Sequence, residues 1–196
     1  CATILISDKE GIQLVDYDTG EIQTIDVQID TFYERSNGKE KILNQITASH
    51  IDPDKALLMY DIVIAVDTNT INDTSVTAIA QMCFTGKTDG VVDVNCKVWD
   101  NTKILKPEVH AWAVVINTVY SQLKNKKQNK TVAIVVDSEL GALQQYNKRE
   151  KPLVQGIYLP PGFTLVYASA DTGMEFIANQ LIRICDKCAS EVLKNR

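Results

Sequence analysis

The sequence predicts an α/β fold: a mixed five-stranded sheet with flanking helices, preceded by a small N-terminal α+β extension. Three observations predict it. A nearly continuous apolar run, Leu57–Val66, is typical of a strand buried on both faces. A hairpin of two further strands follows, and strand and helix patterns then alternate to the end of the chain. The 196 residues, 45% of them hydrophobic, suit a globular domain with an extension.

The chain is predicted to divide into an accessory region, residues 1–55, and a main domain, residues 56–196. Turn-forming residues around Asp52–Lys55 mark the boundary. The accessory region is expected to form a β-meander and one helix, because turn residues separate its apolar stretches and the last stretch has helical spacing. The strands are predicted at Thr3–Ile6, Ile12–Tyr17 and Glu21–Ile29, and the helix at Glu40–Ala48.

The main domain is predicted to have the element order β-β-β-α-β-α-β-α. After the first strand, two strands form a hairpin around the turn Gly86–Gly90. Pro107 is tolerated in the first turn of the long helix that follows. The other elements are predicted from periodicity: strands at Ser75–Phe84, Val91–Trp99, Thr131–Val136 and Thr164–Ala168, and helices at Val109–Leu123, Ser138–Asn147 and Met174–Leu193.

The composition argues against several classes of protein. No run of about 18 apolar residues occurs, so no membrane span is expected. The 20 basic and 25 acidic residues give a net charge of −5, which argues against coating nucleic acid by bulk attraction but allows a local basic patch. The five scattered cysteines do not resemble a disulfide framework, so a reducing, cytoplasmic location is expected.

Three acidic residues stand at the borders of apolar elements. Asp67 follows the first strand of the main domain, Asp137 follows the fourth, and Glu108 opens the long helix. Acids at the carboxyl ends of neighbouring parallel strands lie on one edge of a sheet, where open α/β sheets bind ligands. Turn or helix-dipole preference also explains each acid alone. Their joint placement on one edge predicts a functional site.

A group of carboxylates at this edge predicts a divalent cation. Like charges repel unless a cation holds them, and hard oxygen ligands suit Mg²⁺ or Mn²⁺ better than zinc. Two such ions can promote phosphodiester hydrolysis. A further candidate, Asp171, follows the fifth strand, and Glu175 lies about one helical turn later.

Three stretches in this element order, Tyr60–Asp67, Pro107–Trp112 and Ile134–Ser138, resemble the ribonuclease H-like superfamily over residues 57–196. The resemblance implies a ribonuclease H-like fold and a nuclease that depends on Mg²⁺ or Mn²⁺ and cuts the RNA of RNA–DNA hybrids. It also implies that Asp67, Glu108 and Asp137 are catalytic metal ligands, with Asp67 bridging the two ions.

The last acidic position of the superfamily falls in the stretch Tyr167–Glu175. This stretch has the glycine and two acids of the family pattern but no histidine. Asp171 is the expected catalytic residue and metal ligand, Glu175 is the other choice of ligand, and Asp186 is a third possibility deeper in the last helix. The alternative function is a catalytically silent ribonuclease H-like module for binding or scaffolding. In either case residues 1–55 are a possible protein-binding surface.

Two basic clusters are candidates for contacts to substrate phosphates, and a solvated loop is the alternative interpretation of each. The expected partner is an RNA–DNA hybrid or RNA. Trp99, Tyr146 and Tyr158 are candidates for stacking on bases, whereas Trp112 is expected in the core. The clusters are Lys124, Lys126, Lys127 and Lys130 after the long helix and Lys148, Arg149 and Lys151 after the short one, with Lys124, Lys126, Lys127, Lys148 and Arg149 predicted to bind substrate.

Overall fold

The structure is a computed structural model. It describes residues 2–7, 11–16, 22–25, 33–36, 39–42, 53–83, 91–138, 140–170 and 176–195. The strands are β1 (Ala2–Ser7), β2 (Gly11–Asp16), β3 (Ile22–Ile25), β4 (Tyr33–Ser36), β5 (Lys39–Ile42), β6 (Ile62–Ile71), β7 (Thr74–Cys83), β8 (Val91–Asp100), β9 (Val132–Val136) and β10 (Phe163–Tyr167). The helices are α1 (Pro53–Leu57), α2 (Pro107–Asn125), α3 (Leu140–Asn147) and α4 (Ile177–Lys194).

Five strands form the main sheet in the order β10-β9-β6-β7-β8. β6, β7 and β8 form an antiparallel meander, and β9 and β10 continue the sheet in parallel with β6. The predicted mixed α/β fold is therefore confirmed. The first strand, however, runs from Ile62 to Ile71, so the prediction that it ends before Asp67 is wrong. β7 keeps pairing with β6 up to the turn at Asn72 and Asp73, well beyond the end of β9.

Helices cover both faces of the main sheet and give three layers. Because side chains alternate along a strand, Val63 and Ala65 of β6 face α4, whereas Ile64 and Val66 face α2 and α3. α4 places buried residues at intervals of three and four, which gives an apolar stripe toward the sheet. The stripe consists of Ala178, Leu181, Ile182, Cys185 and Ala189.

The described residues of the accessory region include five short strands. β1, β2 and β3 form an antiparallel meander, and β4 pairs with β5. Because Lys39–Ile42 is a strand, the predicted helix Glu40–Ala48 is wrong at its start, and its remainder lies outside the described residues. α1 spans the predicted domain boundary and packs on α4, where Asp54 Oδ1 accepts a hydrogen bond of 2.9 Å from the N–H of Ile177.

Asn147, the last residue of α3, closes the outer edge of β10. Its Nδ2 donates to the carbonyl oxygen of Leu165 at 2.9 Å, and its Oδ1 accepts from the N–H of Leu165 at 2.8 Å. The Asn147 side chain is 1% exposed. It therefore serves as the missing strand neighbour of β10 at this point.

Asn147→Ala should lower the free energy of unfolding by about 2–4 kcal/mol, because two buried backbone groups lose their partners. Urea unfolding followed by circular dichroism measures the change. Asn117→Ala, at an exposed position of α2, is the matched control and should change stability by less than about 0.5 kcal/mol. Equal effects of the two substitutions would contradict this role of Asn147.

Candidate functional site

Asp67 and Asp137 lie side by side on the main sheet. In the parallel pair of β6 and β9, Ala65 is the partner of Val135. Asp67 and Asp137 each follow this last pair by two positions, and the charge of Asp137 acts on Asp67. β9 ends at Val136 while β6 continues, so the pair lies where the parallel part of the sheet stops.

α4 brings a further carboxyl group, that of Asp186, onto Asp67. The charge of Asp186 raises the pKa of Asp67, and so does the hydrogen bond that Asp67 can donate to it when protonated. Asn69 positions Asp186, since its Nδ2 donates to Asp186 Oδ1 at 3.4 Å and to Ser190 Oγ at 2.8 Å. From the sequence, Asp186 is only the third candidate for the last acidic ligand, because it lies inside α4. The crossing of α4 over β6, which no sequence pattern predicts, brings it to the site.

Glu108 reaches the same edge from α2, on the other face of the sheet. It is the second residue of α2, and Pro107 begins the helix as predicted. Burial, and then the charges of Asp67 and Asp137, raise the pKa of Glu108 to about 7. Both aspartates act electrostatically on Glu108, so the three acids form one cluster. Asp67 and Asp137 are 70 residues apart in sequence.

Asp67 is the most deeply buried member of this cluster, at 8% exposure. Burial, and then the negative charges of Asp186 and Asp137, raise the pKa of Asp67 to about 7. Cys185 packs nearby, and its thiol donates to the carbonyl oxygen of Ala65 at 3.4 Å. Among the described residues, Asp67 Oδ2 is buried and has no hydrogen-bond partner. Such an atom is costly to bury, and a bound cation would satisfy it.

Two predicted ligands, Asp171 and Glu175, lie outside the described residues, so their roles stay predictions. The chain leads toward them from Ala170, whose N–H donates to Asp137 Oδ2 at 3.4 Å. Ala170, the last described residue before them, therefore lies beside Asp137. Within the described part of the chain, no three His, Cys, Asp or Glu side chains converge closely enough to hold a metal ion.

A cavity of about 320 Å³ opens beside Glu108, and Lys106, Ser138 and Lys151 are among its lining residues. Lys151 Nζ lies 5.2 Å from the ring centre of Tyr146, an arrangement that favours a cation–π interaction. Lys151 belongs to the second predicted basic cluster. Lys106 was missed because it stands alone in sequence, although its position just before the helix start was a usable signal.

The predicted phosphate ligands after α2 lie far from this cavity. α2 has 19 residues and Glu108 is at its start, so Lys124 is roughly 24 Å away along the helix, and Lys126 and Lys127 lie beyond it. One continuous helix therefore separates these lysines from Glu108, and their contact with substrate stays a prediction. Lys126 lines a separate cavity of about 470 Å³.

Arg149 has a structural role in the turn after α3. Its guanidinium donates to the carbonyl oxygens of Leu159 and Pro160 at 3.1 Å and of Asn147 at 3.3 Å. These bonds join α3 to the loop before β10 and hold Arg149 at a φ of 58°. Lys148 precedes it in the same turn. Contact of either residue with substrate stays a prediction.

The fold and the site define an α/β domain with a mixed five-stranded sheet, flanking helices and carboxylates at one sheet edge. The native crystal structure of the prototype foamy virus protease–reverse transcriptase is similar, with a TM-score of 0.50 and 13% identity. The match covers 80% of this chain and 24% of that one, so the chain spans about a quarter of its length. At this identity the likeness shows the fold alone.

No protein-family model matches the chain, and no curated protein matches it. In the part of the chain that the structure describes, no helix combines the length and apolar character needed to cross a membrane.

Proposed function

We propose that this domain is a divalent-metal-dependent nuclease that hydrolyses phosphodiester bonds in the RNA strand of RNA–DNA hybrids. One observation carries the proposal: Asp67, on which the charge of Asp137 acts, has a buried Oδ2 atom with no hydrogen-bond partner among the described residues. Burial and crowding with like charges raise the pKa of both Asp67 and Glu108. A cation would relieve this repulsion.

The donor set fits Mg²⁺ or Mn²⁺, because every candidate ligand is a carboxylate oxygen. Asp67, Asp137 and Glu108 would hold the ions, and Asp171 or Glu175 would complete the set. When bound, such ions activate a water molecule and stabilise the leaving oxygen. The protein's own contribution is to hold these carboxylates at one edge of a rigid sheet, so that little reorganisation accompanies the reaction.

The cavity beside Glu108 supports a phosphodiester as the substrate. Lys106 and Lys151 contribute ammonium groups and Ser138 contributes a hydroxyl group, and contacts of this kind position a nucleic-acid backbone. A phosphate in this cavity would lie against Glu108 and next to Asp137, the neighbour of Ser138. The fold likeness to a viral protease–reverse transcriptase agrees with a nucleic-acid substrate.

The alternative is a silent binding module of the same fold. It is favoured by the absence of a closed three-ligand group in the described part of the chain and by the lack of a histidine in residues 167–175. Thermal melting in a series of Mn²⁺ concentrations separates the two functions. A nuclease site should raise the melting temperature progressively with Mn²⁺, whereas a silent module should melt at one temperature throughout.

The proposal is tested with labelled RNA–DNA hybrid, single-stranded RNA and duplex DNA, each incubated with the protein in Mn²⁺, Mg²⁺ or EDTA. Hydrolysis of the hybrid in Mn²⁺ or Mg²⁺ but not in EDTA is expected. Glu108→Gln should remove it, and Asp93→Asn, at an exposed position of β8, should not. Absence of cutting with all three substrates would overturn the proposal and leave the binding module.

Lys106→Gln and Lys151→Gln should each raise KM for the hybrid about 10-fold, because a charge-assisted phosphate contact is lost. The kcat value should change much less, since the carboxylates are untouched. Lys126→Gln, at the far end of α2, is the matched control and should leave KM unchanged. Equal effects of all three substitutions would indicate a general loss of positive charge rather than a phosphate subsite.

A further inference from the structure

We infer that the cleft between β8 and α2 binds a nucleobase of the substrate strand by stacking on Trp99. This inference rests on the proposed function and adds a second contact to the same substrate. The cleft has a volume of about 160 Å³ and lies between Trp99 on the sheet and His110 on α2. β8 is an edge strand, so the cleft is accessible from the side of the sheet.

The Trp99 ring is held in a fixed orientation. Its Nε1 donates to Thr77 Oγ1 at 2.9 Å, which places the indole on the α2 face of the sheet. The His110 ring lies next to it, with ring centres 5.5 Å apart and planes inclined by 41°. Because the rings are not parallel, they form a wedge rather than a closed stack. A pre-oriented, partly exposed indole is a stacking platform for a planar base.

The rest of the cleft is apolar. Ile79, Ala111 and Val115 form its inner surface, and Val114 beside them is 48% exposed. An exposed valine next to an aromatic ring leaves apolar surface that a base would cover. A surface of this kind stacks any base, because every base has a π face. We therefore expect binding with little sequence preference.

The cleft lies within reach of a strand bound at the carboxylates. Asp67 pairs with Ala78 and Ala78 with Cys96, three residues before Trp99. Two strand spacings and three residues place the Cα atoms of Trp99 and Asp67 roughly 14 Å apart. This distance is about four times the 3.4 Å rise per nucleotide of a stacked strand, so an unpaired base a few nucleotides from the carboxylates would reach Trp99. Thr77, which fixes Trp99, also shares a 2.8 Å hydrogen bond with Thr68, the neighbour of Asp67.

The charged side chains between the Trp99 cleft and the cavity beside Glu108 are complementary to a nucleic-acid backbone. Lys97 lines the cleft, and Lys103 and Lys106 lie in the loop that leads from β8 to α2. All three are exposed. Asp100, which lies between Lys97 and Lys103 in sequence, accepts a hydrogen bond from the N–H of Thr102 at 2.8 Å. The three lysines therefore form a basic track from the cleft toward the phosphate cavity.

Intrinsic fluorescence tests the inference without metal or turnover. The chain has two tryptophans, and Trp112 is fully buried, so a ligand in the cleft acts on Trp99. A short single-stranded RNA in EDTA should quench the emission, whereas the same backbone carrying abasic sites should not. Trp99→Ala should weaken RNA binding, measured by anisotropy, about 5- to 100-fold. His110→Ala keeps the indole and serves as the second variant if Trp99→Ala does not fold.

Equal quenching by base-bearing and abasic strands, or unchanged binding in both variants, would overturn the inference. The proposed function fails differently, since it fails when no substrate is hydrolysed in Mn²⁺ or Mg²⁺. Hydrolysis with unaltered RNA binding by Trp99→Ala would leave the nuclease standing and remove only the stacking site. Base-dependent quenching without hydrolysis would keep the stacking site and favour a binding module.

Discussion

Asp67→Asn is expected to abolish hydrolysis and, in the same protein, to raise the free energy of unfolding. Activity falls because the central carboxylate is lost. If that group supplies about 4 kcal/mol of transition-state stabilisation, kcat drops on the order of 10³-fold. Single-turnover cleavage of the hybrid in Mn²⁺ measures this loss. Turnover close to that of the unmodified protein would exclude Asp67 as a metal ligand.

The gain in stability follows from the position of Asp67. Its pKa is raised to about 7 by burial and by the charges of Asp186 and Asp137, so its ionised form destabilises the fold at pH 8. Asparagine has the same shape, has no charge and can donate to Asp186. We expect a gain of about 1–3 kcal/mol at pH 8 in EDTA, measured by urea unfolding.

Asp93→Asn is the matched control for stability, because Asp93 is exposed on β8 and its neutralisation should have little effect. A loss of stability in Asp67→Asn, or an equal gain in both variants, would contradict the account of the cluster. A gain confined to Asp67→Asn would show that the acids are kept together at a cost to the fold, as functional sites often are.

The second large effect is on the pH dependence of stability in the absence of metal. Asp67 and Glu108 have a folded-state pKa near 7, above the ordinary values of 3.8 and 4.5. At pH values between the ordinary pKa and the folded-state pKa, the folded state binds more protons than the unfolded state. Stability therefore decreases as pH rises through this range. We expect a loss of about 2–4 kcal/mol between pH 5 and pH 8 from the coupled pair. Above pH 8 this contribution is constant.

Unfolding experiments at pH 5, 6.5 and 8 in EDTA and a reducing agent measure this slope. The variant Asp67→Asn should flatten it, because one of the two titrating groups is gone and the other loses its charged neighbour. Mn²⁺ should restore stability most strongly at pH 8, where the carboxylates are ionised and free to bind it. Stability that increases from pH 5 to pH 8 in EDTA would contradict the raised pKa values.

Much of the main domain follows from local patterns. An apolar run such as Val132–Val136 has to be a strand buried on both faces, and Pro107 fixes where α2 begins. The wrong predictions arise where the pairing of one strand with another determines the secondary structure. β6 extends past Asp67 because β7 supplies hydrogen bonds beyond the end of β9, and Lys39–Ile42 is a strand because β4 lies beside it. No local signal contains the identity of a pairing partner.

In the candidate site, too, some residues follow from local patterns and others depend on how the elements pack. Asp67, Glu108 and Asp137 were predicted because strand and helix order alone brings their positions to one edge. Asp186 depends on the crossing of α4 over β6, which is a result of packing. The distance of the lysines at the end of α2 from Glu108 is likewise not visible in sequence, because it depends on α2 being one unbroken helix of 19 residues. Sequence patterns predict which elements exist better than how far apart their ends lie.

The pairing of β6 also determines when the site forms during folding. β6 meets β7 across a two-residue turn. The hydrogen bond from the N–H of Thr131, just before β9, to Asp61, just before β6, instead joins residues that are 70 apart in sequence. Local hairpins form early and such distant pairings form late. Until β9 docks, the chain holds Asp67 in a hairpin without Asp137. Because docking brings like charges together, we expect it to be slower at high pH than at low pH. A growing chain would therefore gain the ability to hold a cation only when the docking of β9 completes the sheet.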